Sequence, residues 1–113
     1  MSYPIELFKK IEESKKADSE HLRITTLDET KEVLEKVLPD FNVDEVYITG
    51  SLLVPYKFSS RSDIDIAVKG LRQEDYFTLI SRLEELLLRN IEIIELENCR
   101  FAEKIEVTGL KIK

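Results

Sequence analysis

Two short stretches decide the fold of this chain: residues 46–51 read VYITGS, and residues 62–66 read SDIDI. The first is a β-branched, apolar run that ends in a Gly-Ser turn, and the second places two aspartates one residue apart on another apolar run. Such a turn can present backbone N–H groups to a phosphate, and paired carboxylates can hold a divalent cation against it. The combination predicts chemistry on a nucleotide.

The period of a β-strand explains the spacing of the aspartates. Asp63 and Asp65 should leave the same face of a strand, while Ile64 and Ile66 point the other way into a core. Two like charges held so close repel each other unless a cation lies between them. Mg²⁺ is usually held by carboxylates, substrate phosphates and water, so an Asp pair without His or Cys favours this ion.

A third acid is expected on a neighbouring strand, and Glu92 lies at the start of the next β-rich segment. In a two-metal arrangement, one ion activates the attacking oxygen and the other stabilises the leaving phosphates. We therefore predict Asp63, Asp65 and Glu92 as catalytic residues and as ligands of two Mg²⁺ ions. The alternative is an ordinary polar strand face, because such pairs also occur on solvent-facing strands.

The predicted nucleotide-binding set surrounds these acids and comprises Gly50, Ser51, Ser62, Arg61 and Lys57. Glycine permits a tight turn and a close backbone approach, and the Ser51 hydroxyl can donate to a phosphate oxygen. The two basic residues can reach phosphates from the connecting loop, although loop bases are often simply solvated.

Length and charge limit the classes of function. The 113 residues suit one domain, which leaves no room for a second substrate-binding domain within the chain. A net charge of -6 makes direct nucleic-acid binding unlikely, since phosphate backbones are held mainly by Lys and Arg. Residues 57–113, with 10 basic and 11 acidic residues, repel a nucleotide less than residues 1–56, with 7 and 12.

Cysteine content and hydropathy point to a cytoplasmic protein. A lone cysteine, Cys99, cannot form an internal disulfide or a zinc site by itself. No apolar stretch is long enough to span a membrane, and the N-terminus mixes acids and bases where a signal peptide needs an apolar region.

Hydrophobic periodicity and turn residues predict the order α-α-β-β-α-β-α-β, a mixed α/β or α+β domain with helices packed on a small sheet of about four strands. A polar break over residues 17–20 and a capping box over residues 26–29 separate the first two helices, and Pro39 stops the second. Asn98 is expected to cap the last helix. The predicted helices are 5–16, 26–38, 73–89 and 98–107, and the predicted strands are 46–49, 64–68, 91–96 and 110–112.

The Gly50-Ser51 turn followed by the SDIDI stretch resembles the signature of the DNA polymerase β-like nucleotidyltransferases, in particular their minimal nucleotidyltransferase (MNT) members. The IEII segment at 91–94 and the ending GLKI at 109–112 are also similar to this family. The resemblance covers about residue 46 to the C-terminus. It implies a single nucleotidyltransferase-like domain over 1–113, with residues 1–26 as an N-terminal helical extension.

The resemblance also implies an activity and a partner. It implies transfer of a nucleoside monophosphate, AMP from ATP or the equivalent from another NTP, onto a hydroxyl of a partner protein. MNT proteins are commonly antitoxins paired with HEPN-domain toxins, so the expected partner is a HEPN-type protein, in a complex that contains one or more copies of this chain.

A different class of function is left open by two residues. Glu92 stands where the family typically has Asp, and Pro55 removes a backbone donor near the expected phosphates. Both favour the alternative of a catalytically weak or inactive protein with the nucleotidyltransferase fold, which neutralises its partner by binding.

Overall fold

A computed structural model describes residues 4–113. Its strands are β1 (Glu45–Thr49), β2 (Ile64–Lys69), β3 (Ile91–Glu95) and β4 (Leu110–Lys111), and its helices are α1 (Ile5–Val37), α2 (Tyr76–Leu87) and α3 (Ala102–Thr108). The strands form one mixed sheet in the order β3-β2-β1-β4. β2 and β3 are parallel, and β1 is antiparallel to both β2 and β4. The predicted mixed fold of four strands and packed helices is confirmed.

The first helix corrects the prediction of two helices. α1 runs without interruption through both the expected break at 17–20 and the expected capping box at 26–29. The break contains no Gly or Pro, so nothing in it stops the hydrogen-bond ladder. Thr26 is buried within the helix, and its carbonyl accepts a hydrogen bond from the Thr30 hydroxyl at 2.7 Å, so it is no cap.

The other helices begin later than predicted. The 3₁₀ segment Gln73–Asp75 occupies the first predicted turn of α2, and a second one, Leu96–Asn98, ends at the residue where the last helix was predicted to begin. Asn98 does not cap α3, because it lies in the second of these segments and the residue before the helix is Phe101. α2 ends at Leu87, and Leu88 turns the chain in a left-handed conformation with φ 54°.

The sheet has two differently covered faces. Ile64 and Ile66 are fully buried, as predicted, in the main core beneath α1 and α2. The opposite face carries a smaller cluster in which Tyr47 and Ala67 pack against Ile105 of α3. Because α3 covers one part of that face, the polar residues at the adjoining ends of the strands are left in an open position beside the helix.

α1 is much longer than the body that it covers. Its buried residues begin at Thr26, and at 33 residues it spans about 50 Å. None of the helices formed by residues 4–113 combines the length and the apolar character that a membrane span requires. The division into a 1–26 extension and a nucleotidyltransferase-like body stays a prediction.

Candidate active site

A polar row crosses three strands of the sheet. Thr49 of β1 is aligned with Asp65 of β2, and Asp65 is aligned with Glu92 of β3. Aligned residues on neighbouring strands point to the same face, so the three side chains lie side by side. The adjoining row contains Tyr47 and Ala67, which α3 covers. The carboxylates therefore lie beside α3, on the part of this sheet face that the helix leaves uncovered.

The Asp65 and Glu92 carboxyl groups are close enough to share a proton. The pKa of Asp65 is raised to about 6, mainly by burial and further by a hydrogen bond with Glu92 and the negative charges of Glu92 and Asp63. A hydrogen bond between two carboxyl groups requires that one of them be protonated. A cation at this position would relieve the same repulsion without a proton.

Asp63 lies just before β2 and is exposed. Its charge reaches Asp65, but within residues 4–113 no group of three or more acidic, His or Cys side chains is already arranged to hold a metal. The structure thus pairs Asp65 with Glu92 and keeps Asp63 nearby, outside a closed cluster. The chemistry of the donor set, all carboxylate oxygen, fits a hard divalent cation.

Gly50 packs directly against the Asp65 carboxylate. It has φ +77°, and a Cβ atom placed on it would lie 2.1 Å from Oδ2 of Asp65. Both the left-handed backbone and the lack of space require glycine here. Ser51 follows it in the 3₁₀ segment Gly50–Leu53, so the predicted phosphate turn is in contact with Asp65.

The predicted loop residues lie in different places. Arg61 and Ser62 line a polar cleft of about 260 Å³ together with Asp63, whereas Lys57 is exposed outside that cleft. The Ser62 hydroxyl accepts a hydrogen bond from the Ser59 N–H at 3.0 Å, so it stabilises its own turn. The structure therefore brings Arg61 and Ser62 next to an acid, and does not bring Lys57 there.

Three features near the site were missed by sequence reasoning. A cleft of about 600 Å³ lies between Gly50 and α3, with Lys104 and the exposed Phe101 in its wall. Arg89 donates two hydrogen bonds to the loop before Asp63. Arg23 of α1 donates to the Leu52 carbonyl at 3.1 Å. These contacts join residues far apart in sequence, so no local pattern could have indicated them.

A small mixed sheet that carries a Gly-Ser turn against paired carboxylates defines the nucleotidyltransferase class. Comparison with known families agrees: the family described as "Polymerase beta, Nucleotidyltransferase" matches residues 29–112. The chain belongs to this family. No curated protein matches the chain.

Two solved structures have a similar fold. A toxin-antitoxin with AMP-PNP superposes with a TM-score of 0.61 at 21% identity, over 74% of this chain and 72% of that one. The toxin-antitoxin MntA-HpeT, in a variant with two Asp-to-Glu substitutions, gives a TM-score of 0.53 at 18% identity, over 73% and 67%. At this identity the likeness shows the fold alone.

Proposed function

We propose that this chain is a cytoplasmic, Mg²⁺-dependent nucleotidyltransferase that moves a nucleoside monophosphate, AMP from ATP, onto a hydroxyl group of a partner protein. The observation that carries the proposal is the register that aligns Asp65 with Glu92 on parallel strands, with Gly50 packed against the Asp65 carboxylate. Family membership supports the class of reaction.

The acids have separate roles in this reaction. Asp63, Asp65 and Glu92 would hold two Mg²⁺ ions, which supply positive charge to the triphosphate and to the attacking oxygen. The acceptor oxygen bonds to the α-phosphorus, the bond from that phosphorus to the bridging oxygen breaks, and pyrophosphate leaves. Glu92 accepts the hydroxyl proton. An ionised carboxylate suits this role because it can accept the proton at its place beside Asp65, next to the proposed metal ions.

The triphosphate would lie along the turn and the loop. Gly50 and Ser51 offer backbone and hydroxyl donors next to Asp65, and Arg61 and Ser62 line the cleft that contains Asp63. Lys57 would have to move towards the site from its exposed position to contact a phosphate.

A HEPN-type toxin is the proposed partner, with this chain as its antitoxin. Two structures with a similar fold are described as toxin-antitoxin, one of them with AMP-PNP, and the other carries two Asp-to-Glu changes. Those two positions are two residues apart, the same spacing as Asp63 and Asp65.

Intact-mass spectrometry tests this proposal. The chain is incubated with Mg²⁺, each NTP in turn and the protein encoded beside it, and the partner is weighed. We expect the mass of one or more nucleoside monophosphates to be added with ATP, and no addition with EDTA or with Asp63→Ala/Asp65→Ala. If no nucleotide is added and the double variant still neutralises the partner, the proposed activity is wrong.

A second candidate is neutralisation by binding alone. It is favoured by the hydrogen bond between Asp65 and Glu92 and by the lack, within the described residues, of a ready group of three metal ligands. In that case the partner keeps its original mass in the complex, and the carboxylate variants bind it as tightly as the wild type.

A further inference from the structure

The turn before Asp63 is closed by its own serines. The Ser62 N–H donates to the Ser59 carbonyl at 3.1 Å, and the Ser59 N–H donates to the Ser62 hydroxyl at 3.0 Å. The two hydroxyl groups are 3.3 Å apart. The next residue along the chain is Asp63, so the position of the Ser62 peptide fixes the backbone of Asp63 and with it the place of its carboxylate.

Arg89 binds the two ends of this turn. Its Nη2 donates to the carbonyls of Ser59 and Ser62, both at 2.8 Å, across 30 and 27 residues of sequence. Its guanidinium lies 4.5 Å from the ring centroid of Phe58, which is 1% exposed. Phe58 is anchored in the main core, so the contact fixes the guanidinium against a rigid surface.

Arg89 links the turn before Asp63 to the strand that carries Glu92. It follows Leu88, whose left-handed backbone ends α2, and it precedes Glu92 by three residues. The Asn90 carbonyl also accepts a hydrogen bond from the Ile64 N–H at 3.0 Å. The segment that leads into Glu92 is therefore hydrogen-bonded to the backbone on both sides of Asp63.

An unpaired nitrogen of the guanidinium indicates that the other contacts of Arg89 are stabilising. Arg89 Nε is buried without a hydrogen-bond partner among the described residues. Leaving such a donor unsatisfied is costly, so the two Nη2 bonds and the Phe58 contact must outweigh that cost. Lysine cannot reproduce them, because it lacks the planar fork and stacks less well on a ring.

We propose that Arg89 is a positioning residue that sets the place of Asp63 beside Asp65. Arg89 lines the same cleft as Asp63, but its Nη2 is engaged by the carbonyls of Ser59 and Ser62, and we infer that it acts through them rather than on a phosphate. Its effect on transfer rests on the proposed function, whereas its effect on the loop does not.

Amide hydrogen exchange tests the positioning without any need for turnover. In Arg89→Met and Arg89→Lys we expect the Ser62 and Ile64 amides to exchange about tenfold faster than in the wild type, since each variant frees the carbonyls that hold the turn. The matched control is Arg82→Met, which removes an arginine that pairs with Asp40 at 2.9 Å and lies 5.6 Å from the Phe41 ring centroid. The control should leave both amides unchanged. Wild-type exchange in both Arg89 variants would overturn the proposal.

Steady-state kinetics then separate positioning from direct binding. We expect kcat to fall about 10²-fold in Arg89→Lys, as for a small displacement of a catalytic group. The KM for ATP should stay within about threefold of the wild type, because no substrate contact is lost. A raised KM with unchanged kcat would show direct phosphate binding, and full activity in the Lys variant would show that a point charge suffices; either result overturns the role. A wild type without transfer activity would contradict the proposed function. The exchange data would still test whether Arg89 holds the turn before Asp63.

Discussion

At the scale of single residues, Gly50 is where the fold and the candidate chemistry meet. Its φ of +77° is unfavourable for residues with a side chain, and the space for a Cβ is already occupied by the Asp65 carboxylate. Gly70 makes a matched comparison, because it has φ +79° and a Cβ there would lie 2.3 Å from Oδ2 of Asp44, outside the acid row. A left-handed glycine packed against an aspartate carboxylate thus occurs both at the site and away from it.

We expect Gly50→Ala and Gly70→Ala each to lower the free energy of unfolding by about 1–2 kcal/mol from the left-handed backbone, with a further loss from the displaced carboxylate. Urea denaturation measures this. Only Gly50→Ala should also weaken Mg²⁺-dependent nucleotide binding, since it displaces a predicted ligand. Equal nucleotide affinity in the two variants would show that the turn is not part of the site.

The raised pKa of Asp65, about 6, gives a pH dependence of stability with a definite sign. Between its ordinary value of 3.8 and about 6 the folded state binds more protons at this group than the unfolded state does, so stability falls as pH rises through this range. We expect the loss to be on the order of 1 kcal/mol, because solvent screens a partly exposed group. Asp65→Asn should remove it, so that the metal-free variant gains stability over the wild type at pH 7 and little at pH 4. Urea denaturation at both pH values checks this, and an unchanged difference between them would contradict the assignment.

At the scale of elements, α1 is fastened to the segment that follows the phosphate turn. Glu20 accepts a hydrogen bond from the Tyr56 N–H at 2.7 Å and is paired with Arg23, which donates to the Leu52 carbonyl. These hydrogen bonds hold the pKa of the Glu20 carboxyl below its ordinary range. Two partly buried residues of α1 are therefore in contact with the segment beside the candidate site.

We expect Glu20→Gln to speed hydrogen exchange at the Tyr56 amide while leaving global stability nearly unchanged, because a neutral amide is a weaker acceptor than a carboxylate. NMR-detected exchange gives the readout. Glu29→Gln, an exposed position on the same helix that does not share a cleft with Tyr56, is the control and should have no effect at Tyr56. If Tyr56 exchanges at the wild-type rate in both variants, the α1 contact does not order this segment.

The elements show what local sequence can and cannot indicate. The first two strands were predictable, because each is a short apolar run rich in β-branched residues that ends at a glycine, Gly50 or Gly70. The break in the first helix was wrong, since polar residues alone do not stop a helix that lacks Gly and Pro. The alternation of side chains along a strand predicted which face of the sheet Asp65 lies on. Its contact with Gly50 and the hydrogen bonds of Arg89 join segments distant in sequence, which local patterns do not encode.

At the scale of the whole molecule, the chain is elongated. Its principal dimensions are 59 × 29 × 20 Å, and its radius of gyration is 16.8 Å, against about 13 Å for a compact domain of 100 residues. The first part of α1 accounts for the excess, since its residues 5–18 are all exposed. We propose that residues 1–26 form an extension from a single nucleotidyltransferase-like domain, available for a partner.

Proline substitutions at two exposed positions of α1 test this division. Ser14 lies in the proposed extension and Glu32 in the half packed on the core. We expect Glu32→Pro to destabilise the body by about 3 kcal/mol or more, and Ser14→Pro to reduce helix content while leaving the unfolding midpoint of the body nearly unchanged. Circular dichroism during urea denaturation follows both quantities. A similar loss in the two variants would mean that α1 folds as one unit with the body.

We propose that the row of Asp65 and Glu92, with Asp63 and the Gly50 turn, holds a nucleotide through Mg²⁺. Isothermal titration calorimetry of ATP into the wild type and into Asp63→Asn/Asp65→Asn tests it most directly, each with Mg²⁺ and with EDTA. We expect ATP to bind the wild type only when Mg²⁺ is present, and the double variant to lose this Mg²⁺-dependent affinity while staying folded. ATP binding that is equally tight in EDTA, or that survives in the double variant, would contradict the claim.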